Sequence, residues 1–188
     1  MRFLVLVSAL LLAGCAAAPA QPAPPGAAGP AASSRVFNDT DVMFTQMMVA
    51  HQAQALAMVR LARTKAVRED VRTLAAAIDV TEADETKTMQ VWLQSWNQPP
   101  TAAPDSHAGH GGAHGTNPDD IAALATFDGA EFEKRFLNML VAHQHNAVEI
   151  ARMETGSGVN PGALDLAKRI TDSRTAEIQQ MLRHLESA

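Results

Sequence analysis

Phe44-Thr-Gln-Met-Met-Val-Ala-His-Gln-Ala-Gln-Ala55 reappears ninety-two residues later as Phe136-Leu-Asn-Met-Leu-Val-Ala-His-Gln-His-Asn-Ala147. The offset relates Phe44 to Phe136, Met47 to Met139, His51 to His143, Gln52 to Gln144 and Ala55 to Ala147. It runs on without a gap through Arg60/Arg152, Ala75/Ala167, Ile78/Ile170, Glu85/Glu177, Met89/Met181 and Leu93/Leu185. One constant offset held over that length marks an internal duplication, so each half contributes one Met-x3-His segment.

In the first copy Phe44, Met48, His51, Ala55, Met58 and Ala62 advance by fours and threes, the seam of an amphipathic helix. Asn38-Asp39-Thr40-Asp41 supplies its N-cap candidates, and its end is expected near Thr64. A second helix begins around Val67, turns Val71, Leu74, Ile78, Glu82, Glu85, Met89, Trp92 and Trp96 inward, and stops before Pro99-Pro100. Beyond a linker at 97–117, Asn117-Pro118 reads as the N-cap and first residue of a short helix reaching about Ala125. Asp128-x-x-Glu131 offers a capping-box-like start to the next helix, whose seam is Phe136, Leu140, His143, Ala147 and Ile150. Gly156-Ser-Gly158 closes it. Asn160-Pro161 opens the last helix, with Ile170, Arg174, Glu177, Met181 and Leu185 inward. No segment alternates with the period of a strand. The expected fold is all-α, a four-helix bundle of two duplicated hairpins, with repeat 1 at about 39–96 and repeat 2 at about 118–188.

The seams are not purely apolar. His51 and His143 stand where Leu or Ile would serve, as do Glu82, Glu85, Arg174 and Glu177 on the partner helices. Folding each hairpin about its turn sets His51 near residue 80 and Met47 near 84, and their copies near 172 and 176. All eight side chains are then expected within about one and a half turns along the bundle axis, as one polar layer crossing an apolar core. Buried polar groups need partners, and buried charges are costly unless paired, so two readings stay open. In one, Glu82 and Arg174 meet near the pseudo-twofold axis as an ion pair and the imidazoles complete a network that fixes register; Glu82→Gln then strands Arg174. In the other, Met47, His51, Met139 and His143 converge on a metal, with Glu85 and Glu177 as ligands or supporting partners and Met48 as a weaker donor. Thioether and imidazole suit copper, while imidazole with carboxylate also admits zinc. A di-iron bundle needs Glu-x-x-His on two helices, and that motif occurs nowhere in the chain.

The chain has 188 residues, 47 % of them hydrophobic, enough for one modest domain with tails. A net charge of −5 without a basic block argues against nucleic acid as a partner. Residues 1–14 read as a signal peptide, with Arg2 ahead of the apolar stretch Phe3 to Leu12. Leu12-Ala13-Gly14-Cys15 looks like a bacterial lipobox, so Cys15 is expected to carry lipid and hold the protein on a membrane in the cell envelope. Cys15 is the single cysteine, which excludes an intramolecular disulfide. Residues 15–35, rich in Ala and Pro, form the tether, and the bundle occupies 36–188. His107, His110 and His114, among glycines in the linker, are a second and looser set of metal-ligand candidates. No phosphate loop, dinucleotide fingerprint or nucleophile elbow accompanies the histidines, so no enzyme is expected. The sequence names no protein partner and is compatible with a homo-oligomer.

These residues resemble a family of bacterial secreted proteins, the domain of unknown function 305. Its repeated pattern is approximately Phe-x-x-Met-Met-x-x-His-His-x-x-Ala, then Ala-x-x-Ile-x-x-x-Gln-x-x-Glu-Ile-x-x-Met-x-x-Trp-Leu. Phe44, Met47, Met48, His51 and Ala55, then Ala75, Ile78, Glu85, Met89, Trp92 and Leu93, match in the first half. Phe136, Met139, His143 and Ala147, then Ala167, Ile170, Glu177, Ile178, Met181 and Leu185, match in the second. The resemblance spans about residues 39 to 188 and implies a ferritin-like four-helix fold; some members are associated with copper binding and periplasmic copper tolerance. The chain departs from the pattern at the second His of each pair, which is Gln52 and Gln144. It departs again at the pattern's Gln, which is Glu82 in one half and Arg174 in the other. An acid and a base at equivalent positions favour an internal salt bridge.

The combined expectation is a lipid-anchored, exported metal-binding bundle, with copper as the metal and no catalysis. Its alternative is a structural or interaction module of the envelope, in which Glu82, Arg174, Gln52 and Gln144 form a purely structural polar layer.

Overall fold

In the computed structural model, which describes residues 35–102 and 115–187, the duplicated seams form two helical hairpins joined by a crossover. The expected signal peptide, Cys15, the expected tether up to residue 34 and His107, His110 and His114 lie outside the described residues. Hairpin one is α1 (Asp39–Lys65) and α2 (Glu69–Ser95); hairpin two is α4 (Gly129–Ser157) and α5 (Pro161–Glu186). The short α3 (Pro118–Leu124) lies in the crossover between them. Each long helix follows from its seam: Phe44, Met48, Ala55, Met58 and Ala62 of α1 are fully buried, as are Phe136, Leu140 and Ala151 of α4. Burying a large apolar side chain contributes roughly 1.5–3 kcal/mol, so the seams and not helix propensity hold these elements together.

The ends of the helices are fixed by specific groups. Asn38 caps α1 in a capping box: its side chain accepts from Asp41 N at 3.0 Å, and the Asp41 carboxylate accepts from Asn38 N at 2.6 Å. At α4 the expected capping box does not form. Asp128 is the N-cap residue but makes no side-chain cap, because its carboxylate is drawn 2.6 Å to the ammonium of Lys65. Asn117 and Asn160 cap α3 and α5, each followed by a proline at the first helical position.

Lys65 at the end of α1 also donates to Phe127 O just ahead of α4, while Asp41 at the start of α1 accepts from Val159 just beyond α4. α1 and α4 are therefore antiparallel and face each other across the bundle centre. The apolar core divides into two clusters, one around Ala55, Met58, Phe132 and Phe136, the other around Phe44, Met48, Met89 and Trp92. A polar layer separates them.

A second product of the duplication ties the bundle ends. Asp41 Oδ1 accepts from the backbone of Val159 (3.1 Å) and Asn160 (2.8 Å) in the α4–α5 turn. Glu133 Oε2 accepts from Val67 and Arg68 (both 2.9 Å) in the α1–α2 turn. Asp41 and Glu133 are ninety-two residues apart, as are the two turns, so each hairpin's first helix clasps the turn of the other. Arg68 adds an ion pair to Glu133. On the other side Asp41 instead meets the buried Glu154, whose pKa is pushed up to about 9 by burial and by its hydrogen bond and charge contact with Asp41. Glu154 thus enters the fold protonated beside the Asp41 carboxylate.

Because the folded pKa of Glu154 lies above its unfolded value of 4.5, its stabilising contribution is full below about 4.5 and is lost as pH rises through about 9. Glu154→Gln supplies an uncharged donor at every pH. It is expected to match the parent near pH 4 and to exceed it by roughly 2–4 kcal/mol at pH 8. Urea unfolding at the two values checks this; parallel losses in both proteins would remove Glu154 as the source of the pH dependence.

Candidate metal centre

Where α1 and α4 cross, the imidazoles of His51 and His143 stack with ring centroids 3.6 Å apart and planes 19° from parallel. They meet because each occupies the seam of its own helix at the level of the pseudo-twofold axis. Both are buried, His51 to 4 % and His143 to 1 % exposure. Burial pushes the His143 imidazole down to about 4; the backbone of His51 opposes this and the Arg174 charge adds to it. His143 is therefore neutral at physiological pH, with a lone pair on one nitrogen. Its Nδ1 lies 2.8 Å from the hydroxyl of Thr116, and its Nε2 is buried with no hydrogen-bond partner.

The thioethers predicted beside the histidines are present, but not at one level. Antiparallel packing carries Met47 one turn to one side of the imidazole pair, into the cluster that holds Phe44 and Ala147. Met139 lies one turn to the other side, against the cluster of Ala55 and Phe136. The expectation that Met47 and Met139 share a level with each other is thus corrected: eight residues of helix, about 12 Å, separate their levels. Both are half-buried, and Met139 lines an open groove of about 630 Å³ between α3 and α4, with Phe127 and Arg135 among its walls. Met48 is fully buried among apolar side chains.

Glu85 and Glu177 are engaged elsewhere. Arg174, fully buried on α5, places Nη2 2.5 Å from Glu85, Nη1 3.3 Å from Glu177 and Nε 3.4 Å from Glu82 Oε1. The last is an ionic contact, since that nitrogen makes no aligned hydrogen bond. Gln144 donates to Glu82 (3.0 Å) and Glu177 (2.8 Å), while Gln52 donates to Glu85 (2.5 Å) and accepts from Thr86 (2.7 Å). Burial works against the Arg174 charge, but the three carboxylates more than offset it and raise its pKa. Burial lifts Glu82 to about 7 against the pull of Arg174 and the Gln144 hydrogen bond, and lifts Glu177 in the same direction. One guanidinium and two carboxamides thus occupy the carboxylates that were candidate ligands.

Among the described residues no group of three or more His, Cys, Asp and Glu lies close enough to hold a metal ion. What remains is two imidazoles flanked by two thioethers, a soft donor set that fits copper(I) and falls short of a closed zinc site. The unpartnered Nε2 of His143 is the atom a metal would satisfy. Lone pairs lie in the ring planes, so in the stacked arrangement they run nearly parallel, and joint coordination requires the rings to turn out of the stack. His145 is exposed, away from the pair.

Several participants escaped the reading of the sequence. Thr116, Thr86 and Gln54 carry no periodic signal, being ordinary polar residues at helix surfaces or in the crossover. Asp41 and Glu133 did carry one, since both are acids at the same offset as the histidines.

Residues 41–185 match the family described as a domain of unknown function, DUF305, and the chain belongs to that family. Among solved structures it is similar to a DUF305 protein of Streptomyces coelicolor described as secreted, with 26 % identity, a TM-score of 0.75 and coverage of 79 % of this chain and 93 % of that one. A DUF305 fragment from Deinococcus radiodurans is 26 % identical over 80 % of this chain and 98 % of its own, with a TM-score of 0.71. CopM in its Cu(II)-bound form is 31 % identical over 78 % of this chain and 96 % of its own, with a TM-score of 0.66; CopM has also been solved with Cu(I), with silver and without metal. No curated protein matches the sequence.

The network predicts which substitution the fold resists. Arg174→Met leaves Glu82, Glu85 and Glu177 facing one another without a cation, and is expected to cost about 3–5 kcal/mol at pH 7, with recovery as the carboxylates protonate in acid. Glu82→Gln does not strand Arg174, contrary to the expectation from sequence, because Glu85 and Glu177 remain on the guanidinium; its cost is expected below about 1.5 kcal/mol. Urea denaturation of the two variants decides, and equal losses would refute this ranking.

Proposed function

We propose that this member of the DUF305 family is an exported copper-binding protein that holds the ion at His51 and His143 and performs no catalysis. The observation that carries the reading is the buried imidazole pair on facing helices, with one His143 nitrogen left without a hydrogen-bond partner in a site that a thioether flanks on either side. The solved copper- and silver-bound forms of CopM support it from outside. When bound, copper(I) accepts imidazole nitrogen and thioether sulfur as ligands. His51 and His143 supply the nitrogens, Met47 and Met139 the sulfurs, and the apolar clusters on either side keep water from the pair. Glu85 and Glu177 are assigned to Arg174 and not to the metal. Zinc is disfavoured by the want of a third hard or thiolate donor.

The same reading places the protein in the bacterial cell envelope, held at a membrane by lipid on Cys15 and separated from it by the tether. Among the described residues no helix is long and apolar enough to cross a membrane. His107, His110 and His114 are assigned an auxiliary role in capturing the ion. A second reading, a structural or interaction module, is favoured by the fully engaged Arg174 network, which has a register-fixing role whether or not metal binds.

Titration with copper(I) and copper(II) separates the two. Stoichiometric copper(I) binding is expected in the parent and in a variant with His107, His110 and His114 all changed to Ala. His51→Ala with His143→Ala is expected to abolish it while circular dichroism stays helical. Met47→Leu and Met139→Leu are each expected to weaken it about tenfold, on the scale of a lost ligand contact. Binding that disappears with the linker histidines moves the site to the linker, and absence of binding in the parent leaves the structural reading.

A further inference from the structure

One contact from the crossover bears directly on the His143 imidazole. Thr116, the residue before the Asn117 cap of α3, sets its hydroxyl 2.8 Å from His143 Nδ1. It is held there from two sides. Its own backbone N–H donates to Gln54 Oε1 on α1 at 2.9 Å. At the preceding Gly115 a Cβ would meet Gln54 Oε1 at 2.8 Å and Nε2 at 3.0 Å, so glycine lets the Gln54 carboxamide lie close against the crossover backbone. On the far side the Asn117 side chain accepts from Asp119 N and Pro118 opens the helix, which fixes the backbone that follows.

We propose that Thr116 is a positioning residue that keeps the proton of neutral His143 on Nδ1 and so presents Nε2 as a bare lone pair. A proton on Nε2 would be a buried donor without a hydrogen-bond partner, the rarer and costlier defect, whereas on Nδ1 it is accepted by the Thr116 oxygen. The hydroxyl can serve because it both accepts and donates, and Thr116 is only half-buried, so its own proton can go to water. A metal-bound imidazole ordinarily donates its other N–H to an oxygen in this way, which fixes the tautomer and the ring orientation. The consequence for copper rests on the function proposed above; the tautomer does not. Under that function His143 is the pre-set ligand.

Imidazole ¹⁵N spectra of the metal-free protein at neutral pH test the proton's position directly. The parent and Thr116→Ser are expected to show His143 protonated on Nδ1. Thr116→Val is expected to move the proton wholly or partly to Nε2. Copper(I) affinity is expected to fall about tenfold or more in Thr116→Val and to be restored in Thr116→Ser. A proton on Nε2 in the parent, or an unchanged tautomer in Thr116→Val, overturns the proposal even if copper binds normally. The expected tautomers in a parent that binds no copper would instead sustain the role of Thr116 and overturn the copper reading.

Discussion

A guanidinium with no exposed surface stands in the middle of this bundle, and the architecture around it follows from the need to keep that charge paired. Removing an ion from water is costly by several kcal/mol, and the cost is recovered only when geometry and hydrogen bonds are nearly complete. Arg174 reaches from α5 to Glu82 and Glu85 on α2 and to Glu177 on its own helix. Gln52 and Gln144 then take up oxygens of the same carboxylates from α1 and α4. All four long helices contribute to one layer, and a slip of any helix by one turn would leave buried charge without a partner. The layer divides the apolar core in two, and that division gives the histidines a fixed level.

The duplication explains both the symmetry and its breaks. Asp41 and Glu133 clasp opposite turns by the same pair of backbone N–H groups, as expected of two copies related by an axis. Where the copies diverged, the chemistry diverged with them. Arg68 neutralises Glu133 in one clasp, while its counterpart Asn160 is a helix cap and leaves Asp41 to pair with protonated Glu154. At the centre, equivalent positions became Glu82 and Arg174, turning a symmetric site into an ion pair. The crossover in turn sets Thr116 against His143.

The site's chemistry is defined by what the Arg174 layer removes from it. Three carboxylates lie within reach of one another, yet each is committed to a guanidinium or a carboxamide. The imidazole pair beside them is consequently left with thioethers as its nearest uncommitted donors. Under the proposed function, that absence of free carboxylates would favour a soft ion over a hard one.

The sequence alone determined the all-helical hairpins, the duplication and the identity of the residues in the core seams, because 3.6-residue periodicity writes a helix's buried face directly into local order. It also disclosed that His51, His143, Glu82 and Arg174 would share a buried layer, since seam positions that break the apolar rule remain visible as breaks. The tertiary structure alone decided how the hairpins face each other. Antiparallel packing of α1 on α4 stacked His51 on His143 and sent Met47 and Met139 to opposite sides, an outcome that hairpin folding within each half does not specify. It likewise gave Glu85 and Glu177 to Arg174, drew Asp128 away from its helix cap to Lys65, and brought Thr116 to His143. Apart from Arg174–Glu177 on one helix, these contacts join residues from 27 to 92 positions apart in the chain. Local pattern carries no record of such distances; register between elements is settled only when every buried charge and donor has found its partner at once.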